Sequence, residues 1–233
     1  MTETAPLALR CSILKHVPHG FSTRCGGVSE GMFASLNFGN PGELPLDDRD
    51  SAGNIERNFR RLLGVTGASG RRLIEVHQVH GSAVDVVTKD RPRGTGPDPK
   101  ADAIVTDDPS VVLAVRTADC LPALLASGDG RVVAVVHAGW RGVMAGIVPN
   151  TLTAMAQLGA KDIVAAVGPC ISGEAFEVGE EVAAEFERVF NPETLVVLRR
   201  PQWAKPHVDL KRAVFMQLAA GGAAGRRCYP TAR

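Results

Sequence analysis

A chain of 233 residues suits one large domain or two small ones, and at that size roughly 70% of the unfolded surface is buried, so no disulfides are needed. Hydrophobic residues at 45% and charged residues at 22% exclude disorder. A formal net charge of +1, from 26 basic and 25 acidic side chains, gives no electrostatic ground for binding nucleic acid or an anionic membrane surface.

The five cysteines (Cys11, Cys25, Cys120, Cys170 and Cys228) are odd in number and form no CxxC. The N-terminal stretch lacks the apolar core of a secretory signal, and no apolar run reaches the length of a membrane span. The expectation is a cytoplasmic protein with reduced thiols, in which cysteine serves as core residue, metal ligand or nucleophile.

In chain order, the first forty residues are rich in Gly, Ser and Asn and read as short strands joined by turns. From Asp48, Ile55, Phe59, Leu62 and Leu63 recur at helical spacing, with Gly64 as the expected stop. Residues 73–76 and 83–87 read as strands around a loop at 77–82, and the Pro/Gly-rich stretch 91–100 as an exposed connection. Residues 111–115, 121–126 and 132–136 are short apolar runs, the last two joined by a turn at 127–130. Residues 142–158 have helical composition, interrupted at Pro149 and ended by Gly159. A strand at 163–167, a helix at 180–190 and a helix at 210–220 capped by Asp209 complete the reading. Clustered strands followed by strand–helix alternation predict an α/β (α+β) fold: one domain over 1–233, a sandwich with a mixed central β-sheet flanked by helices. No linker is long or polar enough to divide it.

Three segments at strand edges carry residues that strands do not need: His77-Gln78-Val79-His80-Gly81, Thr117-Ala118-Asp119-Cys120 and His137-Ala138-Gly139-Trp140-Arg141-Gly142. Imidazole nitrogen and thiolate sulfur are the favoured donors to zinc, and three protein ligands leave a tetrahedral position open for water or substrate. Spacing alone leaves other readings open. Cys120 also suits a small buried hydrophobe, His137 a core histidine bonded to a carbonyl, and His77 or His80 a solvated loop residue.

Taken together, HGFSTRCGG, SLNFG, QVHG, ADAIVT, TADC, HAGWRG and GPCIS followed by FEVGEEV resemble the multicopper polyphenol oxidase or laccase-domain family, also called purine nucleoside phosphorylase and peptidoglycan editing factor. The resemblance runs in order from His19 to Gln217. It implies an α/β sandwich around a mixed sheet, and it implies that His80, Cys120 and His137 are the zinc ligands and the catalytic residues. His77 falls outside that set. The family also places an arginine at Arg24, where glycine-freed amides and a guanidinium suit phosphate, although a solvated turn is the alternative. Asn37 and Gln78 are further candidates for substrate binding, and asparagine in a turn also caps its own backbone. Asp119 is open as general base or as a support to Cys120, Arg141 as a brace for its loop, and Cys170 reads as a buried structural thiol. The chain departs from the family in Val214, where asparagine is common, and in its ending from Arg226 to Arg233.

The resemblance further implies phosphorolysis of adenosine, inosine, guanosine and methylthioadenosine, together with deamination of adenosine. For the deamination, zinc lowers the pKa of a bound water toward about 7, which suits attack at C6 of the purine. The implied partners are a purine nucleoside and phosphate, with no nucleic acid and no membrane, in a monomer or homodimer. Three rivals stand beside this reading: a copper-dependent polyphenol oxidase, a metal-free Cys120–His137 hydrolase, and a peptidoglycan precursor editing factor.

Overall fold

The computed structural model describes residues 7–94 and 96–228, which group into two compact units, residues 1–71 and 72–233. The distinctive ending past Cys228 lies outside the described residues. No described helix is long and apolar enough to cross a membrane.

The first unit contains the antiparallel pair β1 (Ala8–Leu9) and β2 (Phe21–Ser22), followed by helix α1 (Ala52–Thr66). Ser51 caps α1 by accepting from the Asn54 amide. The helix runs through Gly64, the expected stop, and ends instead at Gly67, whose φ of 77° supplies the left-handed turn. Between β2 and α1 the chain is held by side-chain amides. Fully buried Asn58 on α1 donates to the Asn37 carbonyl (2.7 Å) and to Ser29 Oγ (2.9 Å), and it accepts from the Val28 amide. Asp50 accepts from Ser29, Asn37 and Asn54. A polar web thus does for this loop-rich segment what β-pairing does elsewhere.

The second unit is built from β3 (Arg72–Ile74), β4 (Val84–Val87), β5 (Ala103–Thr106), β6 (Val111–Leu113), β7 (Leu121–Ala126), β8 (Val133–Ala138), α2 (Trp140–Met144), α3 (Ile147–Gln157), β9 (Val164–Val167), α4 (Glu180–Val189), β10 (Val197–Leu198), β11 (His207–Val208), α5 (Leu210–Ala220) and β12 (Ala224–Arg227). The main sheet is mixed, in the order β12-β9-β7-β8-β5-β4, with parallel pairs at both ends and antiparallel pairs between them. β3 pairs with β6, and β10 with β11. The central strands are apolar on both faces, as strands covered on both sides must be. Ala103, Val105, Ala134 and Val136 pack with α2, α3, α4 and α5 through residues such as Val143, Met155, Phe186 and Leu218. Ile104 and Val135 point the other way, toward Ile74 and Val111 of the β3–β6 pair.

The mixed sheet with flanking helices is therefore present, with the four α-helices described in this unit packed on one face. The helical stretch expected at 142–158 is two helices, α2 and α3. The break lies at Gly146 (φ 86°), whereas Pro149 sits in the first turn of α3, where its missing N–H costs nothing. Gly159, at φ 83°, follows α3 as its left-handed stop.

Candidate metal centre

Three chain segments of the second unit bring their side chains to one point. His137 is the penultimate residue of β8, Cys120 immediately precedes β7, and β7 pairs with β8 so that Leu121 faces Ala138. Antiparallel pairing therefore sets Cys120 beside the end of β8, although it lies 17 positions before His137 in the chain. His80 comes from the loop between β3 and β4. Donor atoms of His80, Cys120 and His137 all lie within 4.8 Å of one another. The two imidazoles meet edge to face, with centroids 4.8 Å apart. His137 is buried, Cys120 half-buried and His80 exposed, so the site has a closed floor and an open rim.

The glycines of His137-Ala138-Gly139-Trp140-Arg141-Gly142 explain themselves sterically. A Cβ on Gly139 would stand 3.0 Å from His80 Cδ2, 3.2 Å from Cys120 Sγ and 3.8 Å from His137 Cε1, inside the space the three ligands share. A Cβ on Gly142 would press to 2.8 Å from the Gly81 carbonyl, so that glycine lets α2 seat against the His80 loop. Asn150 on α3 reaches the same loop by donating to the Ser82 carbonyl (3.0 Å). Gln78 spends both ends of its amide on one residue: Nε2 donates to the Arg116 carbonyl (2.7 Å) and Oε1 accepts from the Arg116 N–H (2.8 Å). It thereby ties the His80 loop to the segment leading into Cys120.

Behind the three candidate ligands lies Asp102, fully buried immediately before β5. Its carboxylate accepts from His137 Nδ1 at 2.8 Å and from the amides of Val79, His80 and Gly81 at 3.2, 2.9 and 2.7 Å. Burial opposes its ionisation, yet the bonds from His137 and the three amides hold its pKa below the usual carboxylate value. Burial lowers the pKa of His137, while the bond and charge of Asp102 act the other way; the net lowering favours the neutral imidazole that ligation needs. Burial, and then the charges of Asp119 and Asp102, raise the Cys120 thiol. A cation among these ligands would reverse that balance. The donor set, two imidazoles and a thiol converging on a shared space kept clear by Gly139, fits a metal ion of the zinc class.

The remaining expected residues are placed as follows. His77 is exposed and stands apart from the ligand group, its backbone bridging to Lys100. Burial pushes the Cys170 thiol up to about 11 and its Sγ contacts the Ile171 carbonyl, as suits a structural thiol. Arg141 lies over the Trp140 ring, 4.5 Å from its centroid. Arg24 and Asn37 belong to the first unit. Arg24 is exposed and gives one bond to the Ala34 carbonyl (2.8 Å), whereas the Asn37 amide donates to Asp50 and accepts from Gly39. Within that unit a cleft of about 360 Å³ is lined by Glu30, Met32, Phe33, Arg49 and Asp50 among others, and it contains none of the three ligands. Convergent donors, not cavity size, mark the chemical site here.

Sequence reasoning passed over Asp102. The signal was there: a carboxylate between two alanines, Ala101 and Ala103, at the mouth of an apolar strand has to find donors inside the protein.

The sequence model of the multi-copper polyphenol oxidoreductase laccase family matches residues 18–232. A purine nucleoside phosphorylase of Deinococcus radiodurans is 42% identical over 88% of this chain and 76% of its own length. The Streptomyces coelicolor purine nucleoside phosphorylase SCO2081 is 38% identical over 91% and 83%. Among solved structures, YlmD of Geobacillus stearothermophilus matches with a TM-score of 0.79 at 30% identity, covering 97% of this chain and 88% of that one. Neisseria meningitidis protein NMB0706 matches with a TM-score of 0.74 at 32% identity, covering 95% and 85%.

Proposed function

Since the chain belongs to the multi-copper polyphenol oxidoreductase laccase family, we propose that it is a zinc-dependent purine nucleoside phosphorylase that also deaminates adenosine. The observation that carries this reading is the convergence of His80, Cys120 and His137. The names of the relatives from Deinococcus and Streptomyces support the substrate class. The family match crosses both compact units, which supports reading them as one functional domain.

Two imidazoles and a thiolate with an open fourth position are the ligand pattern of catalytic zinc. The one three-ligand group found among the described residues does not supply the several metal sites of a multicopper oxidase, so copper is the less favoured metal. Zinc held there would supply Lewis acidity to a substrate atom or to water. The protein's own part is to orient His137 through Asp102, to keep the shared space clear at Gly139, and to bind the substrate groups around it. Arg24 is the proposed phosphate contact, because an exposed guanidinium carries five N–H donors and one is spent on Ala34. Asn37 and Gln78 serve substrate binding indirectly, by holding the loops to which their amides are bonded.

A metal-free Cys–His hydrolase has one observation in its favour: Asp102, His137 and Cys120 follow one another as orienting acid, base and thiol. Against it, the surroundings of Cys120 raise its pKa, where an activated nucleophile needs it lowered. His80 also has no part in such a triad.

Chromatographic product analysis with adenosine, with and without phosphate and beside His137→Ala, tests the proposal. Adenine formed only with phosphate and inosine formed without it, both lost in the variant, is the expected result. Equal product from wild type and variant would refute a metal-centred enzyme. Activity that survives chelation but not thiol alkylation would favour the hydrolase.

A further inference from the structure

We propose that Asp102 is the positioning residue of the metal centre: one buried carboxylate fixes which nitrogen His137 offers and folds the chain so that His80 can join it. The inference rests on the metal reading of the site. Oδ1 accepts from His137 Nδ1 (2.8 Å) and from the His80 N–H (2.9 Å), while Oδ2 accepts from the amides of Val79 (3.2 Å) and Gly81 (2.7 Å). An ionised carboxylate has about four acceptor positions and no donor, so these four bonds use its capacity.

Two consequences follow. Because the carboxylate only accepts, the bond from Nδ1 (2.8 Å) requires the imidazole proton on Nδ1, and Nε2 is left as the ligating nitrogen. Because three successive amides turn toward one carboxylate, the chain curls tightly at His80, whose φ of 59° is a conformation side chains other than glycine rarely adopt. Charge-assisted hydrogen bonds are what hold a non-glycine residue there. The backbone of Asp102 extends the tie: its N–H donates to the Ala83 carbonyl and its carbonyl accepts from the His137 N–H (2.7 Å). Loop and strand are thus bolted to one residue through side chain and main chain together. Asparagine is not equivalent, since its NH₂ would face N–H donors.

The test compares zinc affinity of full-length wild type, Asp102→Asn and Asp102→Ala by competition with a chromophoric chelator, alongside melting of the metal-free proteins. The expected result is zinc binding weakened about 10- to 100-fold in the variants, by more than any change in metal-free melting explains. Because a buried carboxylate also supports the fold, a second measurement uses metal-free wild type: long-range ¹⁵N–¹H NMR of its histidines, which should find His137 protonated at Nδ1. Unchanged zinc affinity in a folded Asp102→Asn protein, or His137 protonated at Nε2, would overturn the proposal. Failure of the wild-type chain itself to take up zinc would overturn the metal reading instead, and is distinguishable from both.

Discussion

At the scale of single residues, the site depends as much on an absent side chain as on those present. Gly139 has an ordinary φ of −72°, so an alanine there meets no backbone strain, yet its methyl would stand about as close to His80 and Cys120 as atoms can pack. Gly139→Ala therefore separates site from fold. We expect zinc affinity to fall by about tenfold or more, with metal-free stability changed by less than about 1 kcal/mol. Chelator competition and thermal melting check this, and unchanged affinity would mean that the three side chains do not share a ligand. The three candidate ligands stood out because each sits in a short polar interruption of an apolar run, but only the family resemblance joined them into one set. Asp102 was not, because its neighbours are alanines and its four partners come from residues 79–81 and 137, remote in the chain.

Among elements, the loop between β2 and α1 shows how polar groups replace sheet pairing. Asp50 is nearly buried and collects Ser29 (2.5 Å), Asn37 (2.9 Å) and Asn54 (2.7 Å), binding loop to helix. Burial works against its ionisation, but these bonds prevail and hold its pKa below the usual value. A carboxylate whose pKa is lower in the folded state binds fewer protons there than when unfolded. Its stabilisation is complete above the unfolded carboxylate pKa, about pH 4, and is lost as the pH falls through the lower folded value. Asp50→Asn should cost about 1–3 kcal/mol at pH 7. The gap from wild type should narrow below about pH 4, as read by urea unfolding at several pH values. A gap that stayed constant into acid would show that the charge of Asp50 is not what binds the loop.

The same scale explains where element reading succeeded. Apolar runs of fixed period gave β7, α4 and α5 nearly to the residue, because their burial pattern is written in consecutive side chains. Gly64 was misread as a stop because a helix tolerates glycine on its surface, and the real stop at Gly67 is marked by geometry that composition does not reveal. β12 escaped notice because all four of its residues are exposed, so no apolar pattern marks it, and its partner β9 lies about 60 residues upstream.

For the whole molecule, the sheet order turns local motifs into a site. The pairing of β7 with β8, and of β8 with β5, brings Cys120, His137 and Asp102 to neighbouring strand ends, while Gln78 and Asp102 fix the loop that carries His80. Class and mixed sheet could be read from the alternation of patterns, but strand order could not, because long-range pairing is decided by packing rather than by local sequence. It is that order which makes one centre out of three segments.

The most direct measurement is to strip metal from the purified chain, count it, restore zinc in steps, and follow phosphate-dependent release of adenine from adenosine. One zinc per chain bound at His80, Cys120 and His137 is predicted, with activity lost on stripping, returning in proportion up to one equivalent, and absent throughout in Cys120→Ala. Undiminished phosphorolysis by protein shown to contain no metal would contradict the account.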